Sequence, residues 1–274
     1  MQEQNSALKD SWARDGVIEI STVFRSCLGY ATTPAWAFIQ QVVWRTFSRF
    51  DGLETIELGC GEGKVSLLFS LLGAKTTLID NSRAQLERAK YVATQFEVEP
   101  SILELDLLRL PKSFHGQFDV SMSFGTVEHF FGQDRQRVFD VHRSLLRKRG
   151  LTIIWVPNRY GVLFHLGVFL RKLFRRQISR IPEKSFTRYE LYQRAKAAEL
   201  TELRVTGGES LANDFNNFIL DLRRLLRLAE SYKTFTDAQT AKAELLQGML
   251  RNSASIRPWN NSFSYPLVLT GRHA

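Results

Sequence analysis

The sequence predicts an α/β fold built on a doubly wound, mostly parallel sheet, and three observations carry that expectation. Short apolar strands alternate with helical patterns from Leu53 to Val156; a glycine-rich stretch, ELGCGEG, closes the first strand; and Glu57, Asp80 and Asp106 stand at the ends of the first three strands. Alternation at this spacing gives a parallel sheet covered by helices on both faces. Ligands on such sheets bind beyond the carboxyl ends of the strands, where the glycines and the acids lie.

Taken in order, Leu53–Leu58 reads as a strand, Lys64–Leu72 as a helix, Thr76–Ile79 as a strand and Ser82–Gln95 as a helix capped by Ser82 or Asn81. Ser101–Leu105 and Phe118–Phe124 read as strands, Asp134–Lys148 as a helix and Leu151–Val156 as the fifth strand. After Pro157 the pattern changes. Tyr160–Arg176 is apolar and turns basic, Thr187–Ala198 reads as helical, and Thr201–Gly207 reads as a sixth strand. Asn213–Ala229 carries Phe215, Phe218, Ile219, Leu222, Leu225, Leu226 and Ala229 at a 3.6-residue period, with Arg223, Arg224 and Arg227 opposite. A second helix over Thr236–Leu250 precedes a last strand, Ser264–Thr270. The expected division is an N-terminal helical or lid segment (1–50), a core (51–208) with an apolar and basic insertion (158–186), a helical insertion (209–262) and a closing strand (263–274).

Composition narrows the class. A chain of 274 residues, 44% of them hydrophobic, buries a full core. Two cysteines, Cys27 and Cys60, make no disulfide framework, and no Cys/His spacing suggests a metal site. The N-terminal MQEQNSALKD has neither the basic head nor the apolar stretch of a signal peptide, and the apolar run at Tyr160–Leu170 falls short of the roughly 20 residues that span a bilayer. A cytoplasmic location is expected. The net charge of +9 invites an anionic partner or simply solvates the surface, and Arg171, Lys172, Arg175, Arg176 and Arg180 form an acid-free cluster.

Gly59, Gly61 and Gly63 permit positive φ and let backbone approach a ligand without a Cβ, while the next helix offers free N–H groups. The GxGxG spacing differs from the GxGxxG of dinucleotide-binding turns. Asp80 is placed to accept from ribose hydroxyls, Asp106 to face an adenine amino group, and Glu57 to bring negative charge to a cationic ligand. An acid beside the glycine loop suits an ammonium or sulfonium better than a pyrophosphate.

With these residues in place, the chain resembles the class I S-adenosylmethionine-dependent methyltransferases. ELGCGEG matches that family's first motif, LIDNS with Asp80 its ribose-binding acid, LELDLLRLP with Asp106 its adenine-side motif, FDVSMSFGTVEHF its fourth strand and RGLTIIWVPN its fifth. The resemblance spans roughly Thr33 to Val205 plus the last strand. It implies a Rossmann-like sheet of seven strands with the last antiparallel, added helical cap segments, and S-adenosylmethionine as cofactor. It also implies Glu57 near the methionine amino group, Gly59, Cys60 and Gly61 along the cofactor, with Gly63 completing the loop, and Asp80 on the ribose. Asn81 would lie near the adenine, Asp106 and the Leu107 backbone at its edge, and Phe124 and Gly125 under the methionine part. Apart from the resemblance, Tyr30 in the added N-terminal segment is read as a lid over the methionine part. Cys60 reads as a small buried filler without a nucleophilic role.

Transfer from a sulfonium needs alignment and exclusion of water, and a general base only where the acceptor must lose a proton. Glu128 and His129 are the candidates for that base, or else they hold the loop or contact the cofactor. His115, His142, His165 and His273 read as structural or surface residues. The position after the fourth strand reads SFGT where enzymes acting on exocyclic amines of nucleic acids carry an Asn/Asp-Pro-Pro-aromatic motif, so nucleic acid is disfavoured. Aromatic residues in the added segments, Trp12, Phe24, Tyr30 and Trp36 among them, point to a small aromatic or lipid-like acceptor. GVLFHLGVFLRKLFRR could also lie on a membrane surface or simply pack under a solvated face. The competing readings are a nucleic-acid or protein methyltransferase, a nicotinamide-dependent reductase, and a non-catalytic cofactor-binding module.

Overall fold

The computed structural model describes residues 20–31, 33–173, 182–207 and 266–274. Their strands form one seven-stranded sheet in the order β3-β2-β1-β4-β5-β7-β6. Here β1 is Glu54–Leu58, β2 Lys75–Asp80, β3 Ser101–Glu104, β4 Phe118–Phe124, β5 Leu146–Val156, β6 Thr201–Gly207 and β7 Leu267–Arg272. The first five are parallel, while β7 runs antiparallel between β5 and β6. The expected α/β class, doubly wound order and antiparallel last strand are thus observed.

Helices α1 (Ile20–Tyr30), α2 (Pro34–Phe47), α3 (Lys64–Leu71) and α4 (Arg83–Gln95) are assigned before the fourth strand, and α5 (Asp134–Leu145), α6 (Val162–Leu173) and α7 (Arg188–Ala197) after it. Alternation along each strand sorts the core into two layers. Val120, Met122, Leu151 and Ile153 turn toward α1–α4, joining Ile39, Leu68 and Phe69. Ile154, Val156 and Ile56 turn toward α5 and α7, joining Val138, Phe139 and Leu191. The serines of β4 face the second layer, where Ser121 and Ser123 bond the two ring nitrogens of buried His142 at 2.7 and 3.0 Å. Burial lowers the His142 pKa to about 3, so the ring is neutral and bridges the serines through one donor and one acceptor.

Local chemistry sets several boundaries. Thr33 caps α2 by accepting from Trp36 N at 3.2 Å, with Pro34 opening the helix. Thr187 caps α7 through Glu190 N at 3.0 Å. Ser82 stands at the N-cap of α4 as expected, but its hydroxyl makes no cap bond; instead its N–H donates to Asp80 Oδ1 at 2.8 Å. The largest difference lies at Leu146–Gly150, where the expected helix ends three residues early and β5 begins. Leu146 pairs with Phe118, Arg147 reaches Asp119 at 3.1 Å, and Arg149 takes φ 64 as its N–H donates to His273 O. Cross-strand pairing and an ion pair outweigh the helical propensity of the basic run.

Trp36 and Phe24, read as acceptor-pocket aromatics, serve packing: Trp36 is fully buried edge-on against Phe69 at 5.7 Å, and Phe24 packs on Phe96 at 5.3 Å. Trp12, the segments 213–229 and 236–250, and Arg175, Arg176 and Arg180 lie outside the described residues. Among the described residues no helix is long and apolar enough to cross a membrane, and no group of three or more His, Cys, Asp or Glu is placed to hold a metal.

Candidate functional site

The site is assembled at the carboxyl ends of β1, β2 and β4 by three hydrogen bonds that tie the glycine loop to β2 and to the loop after β4. Cys60 N donates to Ile79 O at 2.9 Å, Gly61 N to Asp80 Oδ2 at 2.8 Å, and Thr126 Oγ1 to Gly59 O at 3.1 Å. The glycine loop is therefore held from β2 on one side and from the loop after β4 on the other. Gly59, Gly61 and Gly63 adopt φ of 66°, 53° and 72°, the left-handed region expected of them.

Their second expected purpose, close approach of a ligand, has room at one of the three. A Cβ on Gly59 would lie 2.4 Å from Thr126 Cγ2, and one on Gly63 2.4 Å from Leu78 Cδ2, whereas the space beyond Gly61 is open. Two glycines admit neighbouring protein, and Gly61 alone faces free volume.

Glu57 is buried, accepting from Ser66 Oγ at 2.6 Å and Ser66 N at 3.2 Å. Burial raises its pKa to about 7 against the opposing Ser66 bonds, with nearby Asp80 adding to the rise. A carboxyl whose pKa is raised by burial is driven back toward its ionised form when a cation arrives beside it. Asp80 is raised by burial too, against the N–H groups of Ser82, Gly61 and Asn81. Its two bonded oxygens retain lone pairs for further donors. Asp106 accepts from Leu108 N at 2.9 Å and so caps a short turn, Leu107–Arg109. Leu107 is buried, Asn81 is exposed, and Cys60 is buried with its thiol pKa pushed well up. That burial fits the filler reading of Cys60.

Strand β4 ends on Phe124, and the loop after it carries exposed Gly125 and a short turn, Val127–His129. Gly125 N donates to Trp155 O at 3.0 Å, and Phe124 tilts against Trp155 at 6.3 Å. The Glu128 carboxyl lies beside Gly125, with Oε1 3.6 Å from where a Cβ there would stand. It is buried, and Oε2 has no hydrogen-bond partner among the described residues. Burial raises its pKa to about 8, Glu183 adding and Arg135 opposing, so at neutral pH it holds its proton. His129 Nδ1 lies 2.9 Å from Pro182 O. A carbonyl only accepts, so Nδ1 carries the hydrogen and Nε2 is the basic nitrogen.

The protonated Glu128 has a consequence for stability. Its folded pKa of about 8 lies above the ordinary 4.5, so the native state retains a proton that the unfolded chain loses. Stability from this source is complete at low pH and falls as pH rises from about 4.5 to 8, with Glu57 sloping the same way up to about 7. The denaturant midpoint should drop between these limits, and Glu128→Gln should flatten the upper part of the slope. A midpoint rising with pH would contradict the buried neutral carboxyl.

Comparison with known proteins bears on this geometry. Residues 56–150, from β1 through the glycine loop to the start of the fifth strand, match the family model described as a methyltransferase domain. The chain has the class I methyltransferase fold. In that fold a solved magnesium protoporphyrin IX methyltransferase from Synechocystis, with S-adenosylhomocysteine bound, aligns at a TM-score of 0.54 and 14% identity over 97% of this chain and 93% of that one. A [4+2]-cyclase aligns at 0.55 and 14% identity, covering 86% and 80%. Among curated proteins, a ubiquinone biosynthesis O-methyltransferase of Rickettsia bellii is 23% identical over 131 residues, 48% of this chain and 53% of its own. The chain spans about half the length of the curated relatives it matches.

Against the class I methyltransferase fold, the first-, second- and fourth-strand motifs converge on one edge, and Asp106 lies at the end of the adjoining β3. Tyr30 is half-buried at the end of α1, a helix tied to the site by Cys27 Sγ donating to Lys64 O at 3.5 Å. Sequence reasoning missed Ser66, Thr126 and Arg135. Ser66 had a signal: a hydroxyl in the apolar helix KVSLLFSL needs a buried partner. Thr126 meets Gly59 across 67 residues and left no local trace.

Proposed function

We propose that the protein is an S-adenosylmethionine-dependent methyltransferase acting on an oxygen, nitrogen or carbon of a small aromatic or lipid-like acceptor. The observation that carries this reading is the buried Glu57 carboxyl, held by Ser66 beside a glycine loop that opens outward at Gly61. That carboxyl fits the cationic methionine end of the cofactor, which supplies an already activated methyl group when bound. Asp80 takes the ribose hydroxyls, Asn81, Asp106 and Leu107 the adenine side, and Phe124, Gly125 and Tyr30 border the methionine end.

The chain's own task is to orient both partners and keep water out. His129, its tautomer fixed by Pro182 O, accepts a proton at Nε2 from an acceptor hydroxyl or amine. Glu128 is neutral at the same pH and braces the loop beside Gly125. The matched relatives named as O-methyltransferases of ubiquinone biosynthesis favour an oxygen on an apolar ring among the acceptors.

Calorimetric titration with S-adenosylmethionine, S-adenosylhomocysteine and a nicotinamide dinucleotide tests the reading. The first two should bind and the third should not; dinucleotide binding alone would overturn it. Because a [4+2]-cyclase shares the fold, transfer of a labelled methyl group to candidate acceptors completes the test. Asp80→Ala should weaken cofactor binding by about 1–3 kcal/mol, the cost of lost charge-assisted bonds. Unchanged affinity would remove Asp80 from the ribose.

A further inference from the structure

Helix α6 leaves β5 at the same sheet edge as the candidate site, yet none of its described side chains joins either core layer. Gly161 and Gly167 are buried, and His165 Nε2 contacts Asn158 O at 3.2 Å. On the outward side Val162, Leu166, Phe169 and Leu173 are 61%, 41%, 61% and 63% exposed, and Tyr160 ahead of them is 57% exposed. Their spacing of four, three and four residues makes one continuous apolar stripe along the helix. An outward stripe of large aliphatic and aromatic side chains marks a contact surface.

Charge selects the contact. Between Pro157 and Pro182 the sequence has no Asp or Glu and six basic residues, Arg159, Arg171, Lys172, Arg175, Arg176 and Arg180. We propose that α6 docks this protein on an anionic lipid surface, its apolar stripe entering the interface and the net positive charge of this stretch of sequence drawing it to the headgroups. Twelve residues give a helix of about 18 Å, too short to cross a bilayer and suited to lying along it. A second copy of this chain is the poorer occupant, because a two-fold contact would set the same acid-free basic stretch against itself. An acid-free basic stretch beside an apolar stripe matches the two properties that an anionic bilayer presents together.

The proposal goes beyond methyl transfer and is tested without cofactor or acceptor, so its failure leaves the chemical reading untouched. The full chain is sedimented with vesicles of phosphatidylcholine alone and of phosphatidylcholine with phosphatidylglycerol, at low and high salt. Binding should require phosphatidylglycerol and weaken with salt. The double variant Leu166→Glu/Phe169→Glu should bind at least about tenfold more weakly while keeping its melting temperature. Absence of binding to the anionic vesicles, or equal binding of the variant, would overturn the proposal. So would a variant that melts lower with unchanged vesicle binding, which would assign the stripe to other residues of this chain. A dimer dissolved by the variant with no vesicle binding would assign the stripe to a second copy.

Discussion

Replacing Arg135 with alanine should destabilise the native state by several kcal/mol, on the order of 1 kcal/mol for each of the bonds and contacts it loses, while Glu190 keeps its bond to Arg194 at 3.2 Å. The side chain is 1% exposed. It donates to Phe130 O at 3.3 Å, Lys184 O at 3.0 Å and Ser185 O at 3.5 Å, and bonds Glu190 Oε1 at 2.8 Å. Its guanidinium carbon sits 3.4 Å from the centre of the Phe186 ring. Alanine would strand three backbone acceptors, leave Glu190 without its buried partner and open a cavity beside Phe186. Each change alone costs on the order of 1 kcal/mol or more.

Lysine retains the charge but not the planar fork, so Arg135→Lys should recover only part of the loss. The bonds also join two segments around the candidate base. Lys184 N donates to Glu128 O at 2.9 Å and His129 Nδ1 to Pro182 O, so Arg135 fastens the stretch 182–186 to the loop after β4. Denaturant unfolding of the two variants measures the effect. A loss below about 1 kcal/mol for alanine would mean that the stretch holds without this side chain.

How far the sequence carried depended on whether the determinants were local. Periodicity and turn residues are local, and the strands Phe118–Phe124 and Thr201–Gly207 fall where the sequence put them. Leu146–Gly150 did not follow its propensity because its structure is decided by Phe118, Asp119 and His273, partners 28 to 124 residues away in sequence. The positions of Glu57, Asp80 and Gly61 were legible because strand ends and glycine spacing place them on one edge. Their protonation was not, since burial and the bonds from Ser66 and Gly61 exist only once the sheet has formed. Arg135 gave no sign of its burial: an arginine in the polar helix DRQRVFDVHRSL reads as surface until Phe186 and Glu190 are brought over it.

The second large effect concerns the glycine loop, where Gly59→Ala should damage stability and cofactor binding through a clash, while Gly61→Ala costs only the φ penalty in stability and damages binding beyond it. At Gly59 alanine meets two penalties. A φ of 66° costs an L-residue roughly 1–2 kcal/mol, and the new methyl carbon 2.4 Å from Thr126 Cγ2 adds an overpacking cost of about 1–3 kcal/mol. Relief requires Thr126 to retreat, which breaks its bond to Gly59 O and shifts Gly125, Glu128 and His129 with it. A displacement of that kind costs about a hundredfold in a site that works by alignment.

At Gly61 the φ penalty remains, but among the described residues nothing beyond its chain neighbours lies within 4 Å of the added carbon. Any loss of S-adenosylmethionine affinity there beyond the small loss of stability reports the ligand itself. Thr126→Ala in the Gly59→Ala background removes both atoms nearest the clash, so the pair should show a coupling of about 0.5–3 kcal/mol in unfolding measurements. Additive effects would mean that the two loops move independently. Equal loss of affinity and stability at Gly61 would place the ligand away from the only one of the loop's three glycines with open space beyond it.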